Sequence, residues 1–285
     1  MTLRGWVFLI VMLRAGGATA QTPRPLVVGI DHIPVVVADL ERAQADFRAM
    51  GFAIKPGRPH ADGIRNAHVK FRDGTEIELI TAPAAVDSLT AEYRAKLKRG
   101  DGPVYFGLYA PDSAALTAKL RASGVPLQPD GGSLGFAPGS PLHPLFFGGR
   151  NKSPTDRPEH FAHENSAVRL SAVWTGDTPE RRALFRGLGV PVLAAGPCAA
   201  IGAGAGGVAV LPEGKVYLVP SARENVVAAR VEVQRLDALE SALRKNKIPA
   251  RRGDSCDAGA EERSAVWVSP ANAHGIWLEF VGPER

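Results

Sequence analysis

The sequence predicts an α+β fold made of four βα modules that form two similar pairs. Two helix-like segments end in the same pattern, Phe-Arg-x-x-Gly, at 47–51 and 185–189. Two others share a Leu-x-x-x-Leu spacing and lead into a β-branched residue and a proline, at 116–126 and 239–249. Short strand-like runs surround each helix, which indicates antiparallel sheet with helices rather than a doubly wound fold. Modules one and three are therefore alike, as are modules two and four.

The helices of the first two modules carry start and stop signals. Asp39 is a predicted N-cap, and Gly51 ends the first helix. Ala43 and Phe47 lie on one face of that helix, as expected for a helix that packs on a core. The second helix is predicted over 113–123, where leucines four residues apart form the buried face.

The first 20 residues read as a secretory signal peptide. Arg4 precedes an apolar run over 6–13, and Ala-Thr-Ala at 18–20 forms a small-x-small cleavage site. The run is too short to span a bilayer, so we expect an exported protein, periplasmic or secreted, with no stable membrane span in its mature form. An uncleaved anchor is the alternative. The polar, proline-containing segment 150–158 is a predicted linker, which gives halves at 21–150 and 151–285.

Charge and cysteine content argue against two classes of function. The chain has 34 Lys and Arg against 29 Asp and Glu, a formal net charge of +5, but its basic residues are scattered and no aromatic residues interleave with them. Nucleic-acid binding is therefore not predicted. The two cysteines, Cys198 and Cys256, lie in loop-like segments, where we expect a disulfide after export; two free thiols are the alternative. No base lies near either thiol in sequence, which disfavours a cysteine nucleophile.

The candidate site rests on His32 and Glu78, which lie in two short apolar runs typical of strands. An imidazole and a carboxylate are common ligands of divalent metals. Because strand side chains alternate between faces, Glu76 shares a face with Glu78. Two inward carboxylates are costly unless a cation or a proton neutralises them. The pattern predicts a cation site with Glu76 as the nearest general base; the alternative is a core histidine and a solvated glutamate.

A third ligand would come from elsewhere in the first half. His68 is the first choice, because its strand should neighbour the strand of Glu78. Tyr105 is a further candidate ligand or hydrogen-bond donor. His60 is expected to be solvated. His143 and His163 are expected to be structural or exposed.

Four stretches around these residues, 31–40, 47–52, 66–71 and 74–80, together resemble the vicinal oxygen chelate (VOC) superfamily and, within it, the glyoxalase-like domains. A later stretch, 163–170, resembles the family's entry into a second half. The resemblance implies βαβββ modules that pair into half-barrels around a divalent metal, with Zn, Mn, Fe and Ni all compatible. The family includes isomerases, lyases, ring-opening dioxygenases and non-catalytic drug-binding proteins, so the resemblance implies the fold more firmly than the reaction.

The chain departs from the family pattern at several ligand positions. Where Glu78 stands in module one, Gly148 and Leu218 stand in modules two and three, and only Glu279 keeps the carboxylate. The positions aligned with His32 carry no histidine in the other modules: Tyr105, Leu170 and Ala228. The half at 151–285 is therefore expected to be a degenerate copy.

The sequence is compatible with two functions. The first is a metal-dependent lyase, isomerase or oxygenase in which His32 and Glu78 hold a divalent ion against vicinal oxygens of a small-molecule substrate. The second is a non-catalytic protein that binds or sequesters a small molecule, which the lost ligand positions favour. The sequence does not predict the substrate, and it leaves a homodimer open.

Overall fold

The computed structural model describes residues 24–130, 133–150, 152–220, 226–257 and 264–283. The predicted signal peptide lies outside these residues. We call the described chain up to Arg150 the first half, and the described chain from Lys152 onward the second half. No helix in these ranges is long and apolar enough to cross a membrane.

The first half combines short strands with three α-helices among its described residues. Its elements in chain order are β1 (Gly29–Ile30), β2 (His32–Val36), α1 (Leu40–Ala49), β3 (Lys55–Pro56), β4 (Arg65–Lys70), β5 (Glu76–Thr81), α2 (Ser88–Leu97), β6 (Gly102–Pro103), β7 (Phe106–Tyr109), α3 (Ser113–Ala122), β8 (Gln128–Asp130), β9 (Ser133–Gly135) and β10 (Leu145–Gly148). These strands form two sheets, ordered β3-β4-β5-β2-β6 and β1-β7-β10-β9-β8.

The second half forms one eight-stranded sheet with two α-helices in its described part. Its elements are β11 (Ala167–Gly176), α4 (Pro179–Gly187), β12 (Val192–Ala195), β13 (Gly206–Leu211), β14 (Gly214–Val219), β15 (Val226–Val233), α5 (Leu236–Lys245), β16 (Ala250–Asp254), β17 (Ser264–Val268) and β18 (Trp277–Val281). Short 3-10 turns stand at Pro158–Phe161 and Ala199–Ile201. The strand order is β12-β13-β14-β11-β15-β18-β17-β16.

The same pairing recurs in each module: the first long strand lies parallel to the last. The parallel pairs are β2 with β5, β7 with β10, β11 with β14, and β15 with β18. A hairpin partner then lies antiparallel to the last strand, as β4 does to β5. This recurrence confirms the predicted α+β fold of repeated βαβββ-type modules.

The helices follow the predicted signals, with one addition. The Asp39 carboxylate accepts from the N–H of Arg42 at 2.9 Å and caps α1, whose Ala43 and Phe47 are buried. The sequence pattern missed α2, which is inserted between modules one and two and begins with a capping box between Asp87 and Thr90. Its few buried positions give no clear apolar stripe, so periodicity does not reveal it.

The two halves are joined by polar contacts around the start of β11. The Asn165 side chain donates to the carbonyl of Met50 at 2.9 Å. Gly51, at φ +89°, leaves room for this contact, because a Cβ there would lie 2.8 Å from the Cβ of Asn165. His163 accepts from the N–H of Ala53 at 3.0 Å and donates to the carbonyl of Lys70 at 2.9 Å. The segment after the linker is thus fixed onto the first half.

Cys198 and Cys256 form a disulfide, as expected, with their Cα atoms 5.2 Å apart. The bond joins two loops of the second half and packs against Trp267 and Trp277. The N–H of Cys256 also donates to Glu279 at 3.0 Å. The disulfide therefore holds its loop against the interior of the second sheet.

Candidate functional site

Strand pairing brings the predicted site residues onto one face of the sheet of β2, β4 and β5. In the register of these strands His32 lies beside Glu76, and His68 lies beside Glu78. We call this surface the polar face; it consists of His32, Asn66, His68, Lys70, Glu76 and Glu78. Ile77 and Leu79 point the other way and are fully buried in the main core.

A cavity of about 870 Å³ opens over the polar face. Its floor includes His32 and Glu78, and one wall consists of residues 148–150 and 152–155. The predicted linker therefore also encloses the site. A concave space of this size with convergent polar groups is typical of a small-molecule site.

His32 and Glu78 face each other with one free donor atom each. The Nε2 atom of His32 lies 3.7 Å from Oε2 of Glu78, which is too far for a hydrogen bond. The other ring nitrogen, Nδ1, lies 2.7 Å from the Asp31 carboxylate. The other carboxylate oxygen, Oε1 of Glu78, accepts from the Asn66 amide at 2.6 Å. Each residue is thus held from behind, as metal-binding histidines and carboxylates usually are.

The surroundings of His32 favour positive charge. Burial by itself lowers the pKa of His32, but the hydrogen bond with Asp31 and the charges of Asp31, Glu76 and Glu78 outweigh burial and raise that pKa to about 9. Its ring also packs at 4.8 Å from the ring of Phe146. A proton and a divalent ion would compete for Nε2 in such a place.

Glu76, the predicted general base, is 3% exposed and sits deeper in the floor than Glu78. Its Oε1 lies 3.3 Å from Nδ1 of His68, and its Oε2 lies 3.8 Å from Nζ of Lys70. Burial raises the pKa of Glu76, but the bond from His68 and the neighbouring positive charges prevail, so the pKa lies below its usual range. Glu76 is therefore an ionised carboxylate but a weak base.

The chain supplies cations of its own beside these carboxylates, which sequence reasoning missed. The ammonium of Lys70, whose side chain is 1% exposed, lies 2.8 Å from Asp156 as well as near Glu76. Lys55 also donates to Asp156, at 2.5 Å. Burial raises the pKa of Asp156, but its bonds from Lys55 and Lys70 lower that pKa to about 2. Part of the negative charge under the cavity is thus neutralised without a metal.

Module two offers glycines at both ligand positions, and both glycines are needed for space. Gly148 pairs with Tyr109 as Glu78 pairs with Pro34, so the position of His32 corresponds to Gly107, two residues before Tyr109. The expected correspondence of Tyr105 with His32 is therefore wrong by two residues along the sequence. A Cβ at 148 would lie 2.2 Å from Oδ2 of Asp31, and one at 107 would lie 2.5 Å from the Phe146 ring.

Tyr105 and His143 meet elsewhere in the first half. The Tyr105 hydroxyl donates to Glu92, and Nε2 of His143 lies 2.9 Å from the same carboxylate. Nδ1 of His143 donates to the carbonyl of Phe136 at 2.8 Å. These residues do not line the large cavity, and their direct contact leaves no space for a metal between them.

The interior of the second half is filled by ion pairs and aromatic rings. Glu279 is fully buried and bonded to Arg230 at 2.5 Å, and Arg230 stands over the ring of Trp174. The inward residue of β14 is Tyr217, stacked on Trp174 at 4.5 Å, whereas Leu218 packs in the main core. The space described beside these rings is about 10 Å³. Arg230 therefore provides the cation that a metal would provide beside Glu279.

Two other histidines differ in outcome. His60 is half-buried and lines the large cavity, and its Nε2 atom is buried, so the side chain is only partly solvated. Its loop folds back over the polar face, which a polar, proline-containing sequence does not reveal. Burial lowers the pKa of His163, which bonds two backbone groups and is structural, as expected.

The donor set fits a divalent ion with two protein ligands. Two ligand atoms, each about 2.1 Å from a metal, are roughly 3 to 4 Å apart, and Nε2 of His32 and Oε2 of Glu78 meet that condition at 3.7 Å. Within the described residues no group of three His, Cys, Asp or Glu side chains is arranged to hold a metal. The remaining positions of a bound ion would therefore fall to water and to oxygens of a substrate.

The family model of the glyoxalase-like domain matches residues 30–187, which is more than half of the chain. The structure resembles a catechol 2,3-dioxygenase, with a TM-score of 0.61 and 15% identity over 91% of this chain and 89% of that one. It also resembles a hypothetical protein from Staphylococcus aureus, with a TM-score of 0.59 and 13% identity over 89% and 99%.

A triple mutant of 4-hydroxymandelate synthase from Streptomyces coelicolor has a TM-score of 0.58 and 11% identity, over 90% of this chain and 92% of that one. These identities are low, so the three structures show a shared fold and no shared activity. No curated protein matches the sequence significantly. The family match and the shared fold show that the chain belongs to the glyoxalase-like domain family of the VOC superfamily.

Proposed function

We propose that the protein is a small-molecule enzyme whose site is the cavity of the first half, with a divalent ion held by His32 and Glu78. One observation carries the proposal: two free donor atoms face each other at 3.7 Å, and each is fixed from behind by Asp31 or Asn66. When bound, the ion would supply Lewis acidity that stabilises a developing enolate or oxyanion.

The chain's own residues prepare the cavity for such chemistry. Asp31 fixes the ring of His32, and Asn66 fixes the carboxylate of Glu78. The ion pair of Lys70 and Asp156 places a positive charge beside Glu76. Glu76 remains the candidate general base because it lines the cavity and stays ionised. Its lowered pKa makes it a modest proton acceptor, and His68 beside it is the candidate for a third ligand or for proton transfer.

The donor set indicates a class of metals and a class of reactions, not one metal or one reaction. Imidazole and carboxylate ligation suits Zn, Mn, Fe and Ni. In the VOC superfamily, lyases, isomerases and oxygenases share an ion that binds vicinal oxygens of the substrate. Open coordination positions beside a cavity of about 870 Å³ suit such binding.

A second candidate is a binding or sequestering protein without chemistry. It is favoured by the glycines at both ligand positions of module two and by the ion pair of Arg230 with Glu279, which fills the second interior. In this case the cavity would bind its ligand through hydrogen bonds and charge alone.

We also propose that the protein is exported. The disulfide of Cys198 and Cys256 supports the proposal, because such bonds persist in oxidising compartments. Intact-mass analysis of the protein from its native host would show a chain that begins near Gln21 if the leader is cleaved. A full-length chain in the cytoplasm would contradict export. The same preparation, examined by light scattering, would decide between monomer and homodimer.

Metal binding tests the main proposal. We would titrate metal-free protein with Zn²⁺, Mn²⁺, Fe²⁺ and Ni²⁺ by calorimetry, beside His32→Ala and Glu78→Ala. His143→Ala is the matched control, because His143 also faces a glutamate but is bonded to it directly. We expect one site in the wild type and in the control, and none in the other two variants. Equal binding in all four proteins, or none in the wild type, would favour the second candidate.

A further inference from the structure

Arg150, at the start of the linker, has a backbone conformation that is rare for its residue type. Its φ is +53°, in the left-handed region that favours glycine. Such a conformation persists only where the surroundings hold it, and it often marks a functional constraint. Glycines make room for the side chain: a Cβ on Gly29 would lie 2.7 Å from Nη2 of Arg150, and one on Gly74 would lie 3.0 Å from its Cβ. Gly29 and Gly74 thus leave the space that the Arg150 side chain occupies.

The Arg150 side chain joins the first half to the second. Its Nε donates to the carbonyl of Ile30 at 3.0 Å, and its guanidinium stands 4.5 Å over the ring of Tyr109. Its Nη1 lies 2.5 Å from the carboxylate of Glu213. The side chain of Arg150 is 8% exposed and that of Glu213 is 44% exposed, so the guanidinium is buried against the first half while its ion pair with Glu213 lies at the surface.

Glu213 belongs to the turn between β13 and β14 in the second half. The turn docks on the first half, because the N–H of Glu213 donates to the carbonyl of Val28 at 2.8 Å. Gly214 lets the turn pack closely on β11 of its own half, since a Cβ there would lie 2.8 Å from a backbone oxygen of Ser171, and it would meet Ile30 of the first half at an ordinary contact distance of 3.5 Å. The main chain of Glu213 is therefore fixed on the first half, which places its carboxylate within reach of Arg150.

The main chain of Arg150 continues this contact into the site. Its N–H donates to Oδ1 of Asp31 at 2.5 Å, and Oδ2 of Asp31 lies 2.7 Å from Nδ1 of His32. With Nδ1 fixed, Nε2 of the same ring faces Glu78. A continuous series of polar contacts thus leads from Glu213 to the free nitrogen of His32.

We propose that Glu213 and Arg150 are positioning residues for His32: the turn of the second half holds Arg150, and the Arg150 N–H holds Asp31 against the imidazole. The second half then has a role in the site although its own interior is filled. The inference rests on the proposed function only where it names a metal as the group that His32 receives; the placement of the ring does not depend on a metal.

The test uses the full mature chain with two measurements. The first is the ¹⁵N NMR spectrum of the His32 ring in metal-free protein, assigned with His32→Gln. The second is Zn²⁺ affinity by calorimetry. Glu213→Ala removes the partner of Arg150, and Glu213→Gln keeps a hydrogen-bond acceptor. Glu232→Gln is the control, because Glu232 forms an ion pair with Arg169 at 2.7 Å in the same half.

We expect Glu213→Ala to shift the His32 ring signals and to weaken Zn²⁺ binding by about tenfold, the low end of outer-shell effects. Glu213→Gln should restore most of both, and the control should match the wild type. If Glu213→Ala does not fold, Arg150→Lys replaces it and should also shift the ring signals. Unchanged ring signals in folded Glu213→Ala and Arg150→Lys would overturn the proposal. Shifted ring signals in a protein that binds no Zn²⁺ would support positioning and contradict only the metal.

Discussion

The Asp31 carboxylate occupies the space that any side chain at Gly148 would need. A Cβ at position 148 would lie 2.2 Å from Oδ2 of Asp31, the same oxygen atom that bonds to Nδ1 of His32. The glycine at a family ligand position is therefore more than a lost ligand. It lets a different carboxylate approach His32 from behind, so the site exchanges a direct ligand for a residue that orients one.

Gly148→Ala should therefore damage the site through Asp31. The added methyl group must displace the carboxylate, and we expect divalent-metal affinity to fall about 10- to 100-fold, as for other changes behind a ligand. Isothermal titration of metal-free protein measures the change. Gly149→Ala is the matched control, because a Cβ there meets nothing within 4 Å. Equal loss in both variants would show that the effect does not come from Asp31.

Asp156 should stabilise the protein through Lys55 and Lys70 at neutral pH and lose that effect in acid. The pKa of Asp156 is lowered from 3.8 to about 2 in the folded chain. The unfolded chain therefore binds the proton more readily, and the stabilisation is complete above pH 3.8 and disappears as pH falls through about 2.

Asp156→Asn tests this effect by urea unfolding at several pH values. We expect the variant to be less stable by about 1–3 kcal/mol at pH 7, because it leaves Lys70 with a weaker partner. The difference from the wild type should shrink below pH 4 in acid-tolerant conditions. A difference that stays constant down to pH 2.5 would contradict the assignment.

His163 should make the contact between the halves sensitive to mild acid. Its pKa lies below the ordinary 6.5 because it is buried, and Nδ1 must stay unprotonated to accept from Ala53. Stability from this residue is complete above pH 6.5 and declines as pH falls below that value, since the unfolded state then binds more protons. His163→Leu should cost about 1–3 kcal/mol at pH 8. Chemical unfolding between pH 5 and 8 should show that the stability difference between the wild type and His163→Leu becomes smaller in acid. A stability difference that is the same at every pH would refute the prediction.

Loss of the disulfide should affect the second half and leave the cavity intact. The double variant Cys198→Ser, Cys256→Ser removes a bond between two residues that are 58 positions apart in sequence. We expect its free energy of unfolding to be lower by about 2–5 kcal/mol. Calorimetric melting measures the loss. Metal affinity of the folded variant should equal that of the wild type. Lost metal binding in a folded variant would mean that the disulfide also shapes the first half.

The repeats were the part of the fold that the sequence predicted best. Phe47 and Phe185 occupy equivalent buried positions on α1 and α4, so the same packing requirement left the same letters in both modules. The face of Glu76 and Glu78 also followed from strand alternation alone. Local patterns succeed where one element determines the environment of a side chain.

Contacts between distant segments were not predictable in this way. Asp156 reaches Lys70 across 86 residues, and Arg150 reaches Asp31 across 119. Both lie in a segment that reads as a linker, and nothing in its composition shows that it folds back over the polar face. The role of Gly148 was hidden for the same reason, because it depends on the carboxylate of Asp31, 117 residues earlier in the sequence. Three-dimensional proximity, rather than residue type, decided these roles.

The most direct test of the central claim is a crystal structure of the mature protein soaked in Mn²⁺ or Zn²⁺, with anomalous data collected at the metal's absorption edge. We expect one strong anomalous peak bonded to Nε2 of His32 and Oε2 of Glu78, with the other positions held by water. No peak between these two atoms, with the cavity otherwise open, would contradict the claim that this pair holds a metal.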